Sequence, residues 1–168
     1  MDQLSGLPTR HDLPELLAAL FAQSQVIEIS AIFFDIDGFI WVTDQLGYQE
    51  GDAILVKLGR WLRAKSSELN GHALRIAGDE FLLLLPNRTI AEALTIAHLL
   101  VRECEGLRLP YARLHDTRDF LAISAAVFQV SPDLPSKLAE FRDITANALY
   151  LQEVVEKRNY SIVIHLDW

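Results

Sequence analysis

"RIAGDEFLLLL", Arg75 to Leu85, sets Gly78, Asp79 and Glu80 between two apolar runs, and the reading of this stretch decides the fold. A short β-rich run, a tight polar turn with a glycine, and a second apolar run predict a β-hairpin joined at Ala77-Gly78-Asp79-Glu80. Two adjacent carboxylates at its tip are more than a solubilising turn requires. Their purpose depends on which distant residues are placed to meet them.

Upstream, a turn at Ser5-Gly6-Leu7-Pro8-Thr9 leads into leucines and alanines at helical spacing from Leu13 to Ala22. Val26 to Phe34 is β-branched and aromatic, as in a strand buried on both faces, and ends abruptly in Asp35-Ile36-Asp37-Gly38. Polar residues therefore crowd that strand's carboxyl end. An amphipathic stretch covers about Gly51 to Ala64 before the hairpin. After it, helical spacing runs from Thr89 to Glu105, a strand from Phe120 to Val130, a helix from about Pro135 to Val155, and a last strand from Tyr160 to His165. The order α-β-α-β-β-α-β-α-β predicts an α/β (α+β) fold, a mixed central β-sheet flanked by helices, as one domain over residues 1–168.

The 168 residues, 51% hydrophobic and 23% charged, suffice for one substantial core. A net charge of −8 disfavours nucleic acid, whose phosphates require many Lys and Arg side chains. The single cysteine, Cys104, has no internal disulfide partner and sits among apolar helical residues, so simple burial in a reducing compartment is expected. With apolar runs too short to span a bilayer and no secretion-signal pattern at the N-terminus, the expectation is cytoplasmic, without membrane insertion.

A hard cation such as Mg²⁺ takes a few oxygen ligands and leaves the rest of its shell to water and phosphates. If the strand ending at Asp35-Ile36-Asp37 neighbours the hairpin, three or four carboxylates are expected to share a small volume, a cluster relieved by a cation or by raised pKa values. Taken singly, each acid reads as a cap or solvated turn.

Four motifs in order resemble the GGDEF domain, the diguanylate cyclase family. "DQLSGLPTRH" (2–11) is similar to D-x-L-T-G-L-x-N-R-R, and "FFDIDGF" followed by "TDQLGYQEGD" to D-I-D-x-F-K-x-x-N-D-x-x-G-H-x-x-G-D. "RIAGDEF" stands where R-x-G-G-D-E-F would, and "ANALYLQEVVEKRN" (146–159) where D-x-A-L-Y-x-A-K-x-x-G-R-N-R would. The resemblance covers nearly the whole chain.

It implies Mg²⁺ or Mn²⁺ held by Asp35, the Ile36 carbonyl and Asp79, with Asp79 and Glu80 as the catalytic pair: Asp79 activating a 3′-hydroxyl, Glu80 assisting in charge placement. Gly38, Phe39, Thr43, Asp52, Gly78, Lys157 and Arg158 would meet the nucleotide, with Gly38 and Phe39 at a helix start that favours phosphate and Asp52 on the guanine edge. In the family, two GTP-bound domains meet as a homodimer to form cyclic di-GMP, and degenerate copies resemble those fused to EAL or sensory domains. The chain is accordingly expected to be an excised part of a larger signalling protein.

Departures from the pattern weigh against full activity. Ile40 replaces a phosphate-contacting Lys, and Thr43 a guanine-contacting Asn whose paired groups it lacks. Ala77 replaces the signature's first glycine, tolerable at an ordinary φ and steric at a positive one. Glu153 stands in place of a triphosphate-binding Lys. At about 6 Å and an effective dielectric near 20, both the lost attraction and the added repulsion are on the order of 3 kcal/mol before screening. Lys157 and Arg158 would compensate, or else cap the last helix. The family's inhibitory product site, R-x-x-D, would fall at Glu68 and Gly71 and is absent.

The remaining residues have plainer readings. The scattered histidines do not make a zinc site, His72 and His115 are expected at the surface, Trp41 and Trp61 in core or groove, and Asp44 as a loop tether. Three functions stand: a Mg²⁺-dependent GTP-binding regulatory module with weak or no cyclase activity, which is the preferred reading; an active diguanylate cyclase; and a non-binding scaffold.

Overall fold

The computed structural model describes residues 1–111, 119–139, 143 and 163–165. Among these, the elements run α1 (Leu13–Phe21), β1 (Ile29–Ile36), α2 (Phe39–Leu46), α3 (Tyr48–Glu68), β2 (His72–Ala77), β3 (Glu80–Pro86), α4 (Ile90–Gly106), β4 (Ile123–Gln129) and β5 (Val163–His165). A further helical run occupies 134–139.

The strands form a sheet in the order β2-β3-β1-β4-β5. β1 is antiparallel to both β3 and β4, whereas β5 joins β4 in parallel, so the sheet is mixed. Central β1 explains why its sequence lacks alternation: both faces are covered. Ile32, Phe34 and Ile36 enter the core shared with α3 and α4, while Ile29, Ala31 and Phe33 enter the opposite core with Leu13, Leu17 and Leu20 of α1. Phe33 and Phe34 are almost fully buried, and removing either ring from water contributes about 2–3 kcal/mol. No helix among the described residues is long and apolar enough to cross a membrane.

Boundaries depart from the sequence expectation in instructive places. β1 starts at Ile29 and continues through Ile36, so Asp35 lies inside the strand. Residues 23–26 form a turn instead, closed by the Val26 N–H donating to the Gln23 carbonyl. The Asn87 side chain then holds the approach, accepting from the Ile27 N–H at 2.9 Å and donating to the Gln25 carbonyl at 2.9 Å. The amphipathic stretch expected over about Gly51 to Ala64 lies within the longer α3, and a separate α2 precedes it, parted from it by Gly47 at φ 90°. α4 begins as expected, with a Thr89–Glu92 capping box. Most of the helix expected over Pro135 to Val155, and the first residues of the last strand, lie outside the described residues.

Candidate functional site: the carboxylate end of the central strands

The β1–β3 register ends on the pair Asp35–Glu80, which brings the end of β1 to the residue that follows Asp79 in the hairpin turn. Facing residues of antiparallel strands have Cα atoms about 4.5–5.5 Å apart, and the strand end and hairpin tip therefore converge. On its other side Asp35 pairs with Ser124 of β4, which puts Glu80, Asp35 and Ser124 in one row on the same sheet face. Backbone direction follows the same alternation. The Asp37 N–H donates to Ala122 O and the Ile29 carbonyl accepts from Val130 on the β4 side, while the Glu28 carbonyl accepts from Asn87 on the β3 side. Odd residues thus address β4 and even residues β3, which directs the Ile36 carbonyl toward the side where Asp79 stands.

The expected crowding of three or four carboxylates is corrected. Among the described residues, no three His, Cys, Asp or Glu side chains gather so as to hold a metal ion. One reason is that Asp37 Oδ1 accepts a hydrogen bond from Ser124 Oγ at 2.6 Å, which turns that carboxylate toward β4. The candidate oxygen ligands at this end are the carboxylates of Asp35 and Asp79 and the Ile36 carbonyl. Such a set fits Mg²⁺, which commonly takes one or two carboxylates and leaves its other positions to water and phosphates. Asp35 and Asp79 are half-buried and Glu80 is buried.

The hairpin tip is anchored from outside the sheet. Arg75 donates through Nε and Nη2 to the Gly78 carbonyl at 2.9 and 2.6 Å, and through Nη1 to Asp2 Oδ1 at 2.8 Å. The same Asp2 oxygen accepts from the Ser5 N–H at 2.7 Å and the Ser5 hydroxyl at 2.8 Å, and the Arg75 N–H donates to Pro8 O at 2.8 Å. Burial pushes the Asp2 carboxyl up, but the hydrogen bonds from Ser5 and the Arg75 guanidinium outweigh it and hold the pKa at about 2. The two residues stand in separate sequence motifs, 73 positions apart, and opposite charge is the one sequence signal of their union. Gly78 has φ +26°, whereas Ala77 is not among the positive-φ residues, so the alanine in the signature requires no left-handed backbone.

The nucleotide-facing candidates occupy α2 and the start of α3. Gly38 caps α2 at φ 66°, where a Cβ would come within 3.1 Å of the Tyr111 hydroxyl and 3.3 Å of Trp41 Cδ1. Phe39 packs against the core. The Thr43 hydroxyl donates to the Ile40 carbonyl at 2.9 Å, and its methyl group lies 2.9 Å from where a Cβ on Gly51 would stand. Its proton is therefore spent inside the helix, leaving only acceptor capacity for a base. Asp52 is exposed beside Gly51, at the close approach of α3 to α2. Ile40 is 64% exposed, an apolar side chain in water where the family pattern has a cation. Glu153, Lys157, Arg158 and His115 lie outside the described residues.

Other expectations are adjusted. His72 is half-buried on β2, and burial pushes its pKa down. Asp44 is exposed on α2. Trp61 packs against the core, Trp41 is 37% exposed, and Cys104 is buried. A cavity of about 430 Å³ opens between Leu7, Leu16, Ala19, Arg63 and His72, but Asp35, Asp79 and Glu80 do not line it.

Residues 1–157 match the family described as diguanylate cyclase, GGDEF domain. The chain is 30% identical over 155 residues to the diguanylate cyclase DosC of Escherichia coli, covering 90% of this chain and 32% of DosC. It is 32% identical over 130 residues to MucR of Pseudomonas aeruginosa, a bifunctional diguanylate cyclase/cyclic di-GMP phosphodiesterase, covering 76% of this chain and 18% of MucR. Among solved structures, the GGDEF domain of TpbB (YfiN) from Pseudomonas aeruginosa superposes with a TM-score of 0.70 at 25% identity, covering 97% of this chain and 92% of that one. The chain spans about a third or less of the length of the curated relatives it matches. With family match, sheet and signature hairpin in agreement, the chain belongs to the GGDEF family, the domain of the diguanylate cyclases.

Proposed function

We propose that this GGDEF domain is a Mg²⁺-dependent GTP-binding regulatory module of a cyclic di-GMP signalling protein, with weak or no cyclase activity of its own. One observation supports the reading: the register that pairs Asp35 with Glu80, the neighbour of Asp79 in sequence, at the sheet end. Asp35, the Ile36 carbonyl and Asp79 would supply oxygen ligands, and Gly38 and Phe39 the phosphate-facing backbone at the start of α2. When bound, Mg²⁺ would neutralise triphosphate charge, and Mn²⁺ would serve similarly. Asp52 would accept hydrogen bonds from the guanine edge, with Thr43 adding little.

The same residues would perform the cyclase reaction if it occurs. Asp79 would take the proton of an incoming 3′-hydroxyl, with Glu80 stabilising the charge arrangement, and a second copy would present its own nucleotide across a homodimer. Intact Asp35, Asp79 and Glu80 favour this second reading. Exposed Ile40, the inward-bonded Thr43 hydroxyl and the acidic Glu153 argue against efficient turnover. A fused EAL or sensory domain would be the element that such a module regulates.

Calorimetric titration of GTP with and without Mg²⁺, followed by chromatography of the incubated nucleotides, separates the readings. The module predicts Mg²⁺-dependent binding that Asp79→Ala abolishes, with cyclic di-GMP at or barely above the Asp79→Ala background. Abundant cyclic di-GMP would favour the active cyclase. No Mg²⁺-dependent heat would overturn both and leave the scaffold.

A further inference from the structure

β4 contributes to the site through a residue that the signature motifs do not contain. Ser124 is 6% exposed, faces Asp35 in the β1–β4 register, and donates its hydroxyl to Asp37 Oδ1 at 2.6 Å. Two residues before Ser124, at the entry to β4, the Ala122 carbonyl accepts from the Asp37 N–H at 3.0 Å. Asp37 is thus fastened to β4 by both backbone and side chain. It also lies between the Ile36 carbonyl, which addresses the β3 side, and Gly38, whose left-handed φ of 66° starts α2. A chain that must pass from extended strand to left-handed glycine within two residues needs such a fixed point, because rotation of the Asp37 peptide would swing Ile36 O and the first turn of α2 together.

We propose that Ser124 is a positioning residue. By holding Asp37 to β4 it sets the direction of the Ile36 carbonyl and of the α2 N-terminus, and it keeps Asp37 in a bracing role rather than a metal-ligating one. The proposal concerns the site assigned above and rests on that reading for its nucleotide consequence. The bracing itself is a property of the free protein. A hydroxyl donated to a carboxylate is a charge-assisted bond, stronger than a neutral one, so its removal has a measurable local effect.

The test compares Ser124→Ala, Ser124→Thr, Asp37→Ala and the Ser124→Ala/Asp37→Ala double variant with the wild-type chain, in two measurements. Without nucleotide, amide hydrogen exchange over residues 36–41 is predicted to quicken about tenfold or more in Ser124→Ala and in Asp37→Ala, to gain nothing further in the double variant, and to return to wild-type values in Ser124→Thr, while residues 125–128 stay protected. With Mg²⁺ and GTP, the Kd is predicted to rise about tenfold in Ser124→Ala and to recover in Ser124→Thr. Unchanged exchange over 36–41, additive effects in the double variant, or failure of the folded Thr variant to recover would each overturn the proposal. If Ser124→Ala does not fold, Asp37→Ala and Ser124→Thr still decide it through exchange. Wild-type protein that fails to bind Mg²⁺ and GTP would refute the functional reading instead, and exchange alone would then judge Ser124.

Discussion

Replacing Asp2 with asparagine isolates the charge that ties the N-terminal turn to the signature hairpin. Asparagine keeps an Oδ1 acceptor for the Ser5 N–H and hydroxyl but removes the negative charge opposite Arg75, whose side chain is only 11% exposed against 24% for Asp2. The Asp2 pKa is lowered from 3.8 to about 2. At about 1.4 kcal/mol per decade, that difference corresponds to about 2 kcal/mol of stability at neutral pH. The sign follows from the direction: a carboxyl held low in the folded state stabilises fully above its unfolded value and loses that contribution as pH falls toward the folded one. Urea unfolding of wild type and Asp2→Asn should therefore differ by about 2 kcal/mol at pH 7, with about half of the gap gone by pH 3. In a thermal melt, the neutral-pH gap is about 6 °C for a domain of this size. A difference below about 0.5 kcal/mol at pH 7, within the range of ordinary surface substitutions, or a gap that does not narrow on acidification, would refute the reasoning.

Three further outcomes follow from the same geometry. Gly59→Ala would bring a Cβ within 2.5 Å of Ser5 O and 2.6 Å of Ser5 Cα; because backbone cannot yield cheaply, chemical denaturation should show a loss of about 2 kcal/mol or more. Ile40→Lys restores a cation at an exposed position of α2, so GTP affinity in Mg²⁺ should tighten about three- to tenfold at low salt, shrink toward wild type at high salt, and leave the melting temperature nearly unchanged. The Cys104 thiol is pushed up to about 12 by burial, with Asp37 and Glu105 adding negative charge; at pH 8 it should react with a thiol reagent only as fast as the protein opens, and reaction within seconds in native buffer would contradict its packing.

Some parts of the structure were legible because local chemistry and global packing agree there. The hairpin was readable from Gly78 between two apolar runs, and β1 from a run without alternation, as a strand covered on both faces must be. The separate helix α2 was not, since the amphipathic pattern is clear only from Gly51 on and Val42 is the one buried side chain of α2. Strand order was equally hidden: β1 lies between β3 and β4 through contacts far apart in sequence. The same cause explains the site. Asp35 and Asp79 were visible as motif residues, whereas the Arg75–Asp2 clamp and the Ser124–Asp37 bond arise only when distant segments meet. Ser124 left a faint trace, one hydroxyl in the otherwise apolar ISAAVF of β4.

If the end of β1 and the hairpin tip together bind a cation and a nucleotide, a paramagnetic cation should report on both at once. Paramagnetic broadening by Mn²⁺ in the presence of GTP, followed on backbone amide signals of isotope-labelled protein, measures this directly. The amides of Ile36 and Asp79 should broaden together at substoichiometric Mn²⁺, and excess Mg²⁺ should reverse both. Broadening of one without the other, or of neither while GTP is bound, would contradict it.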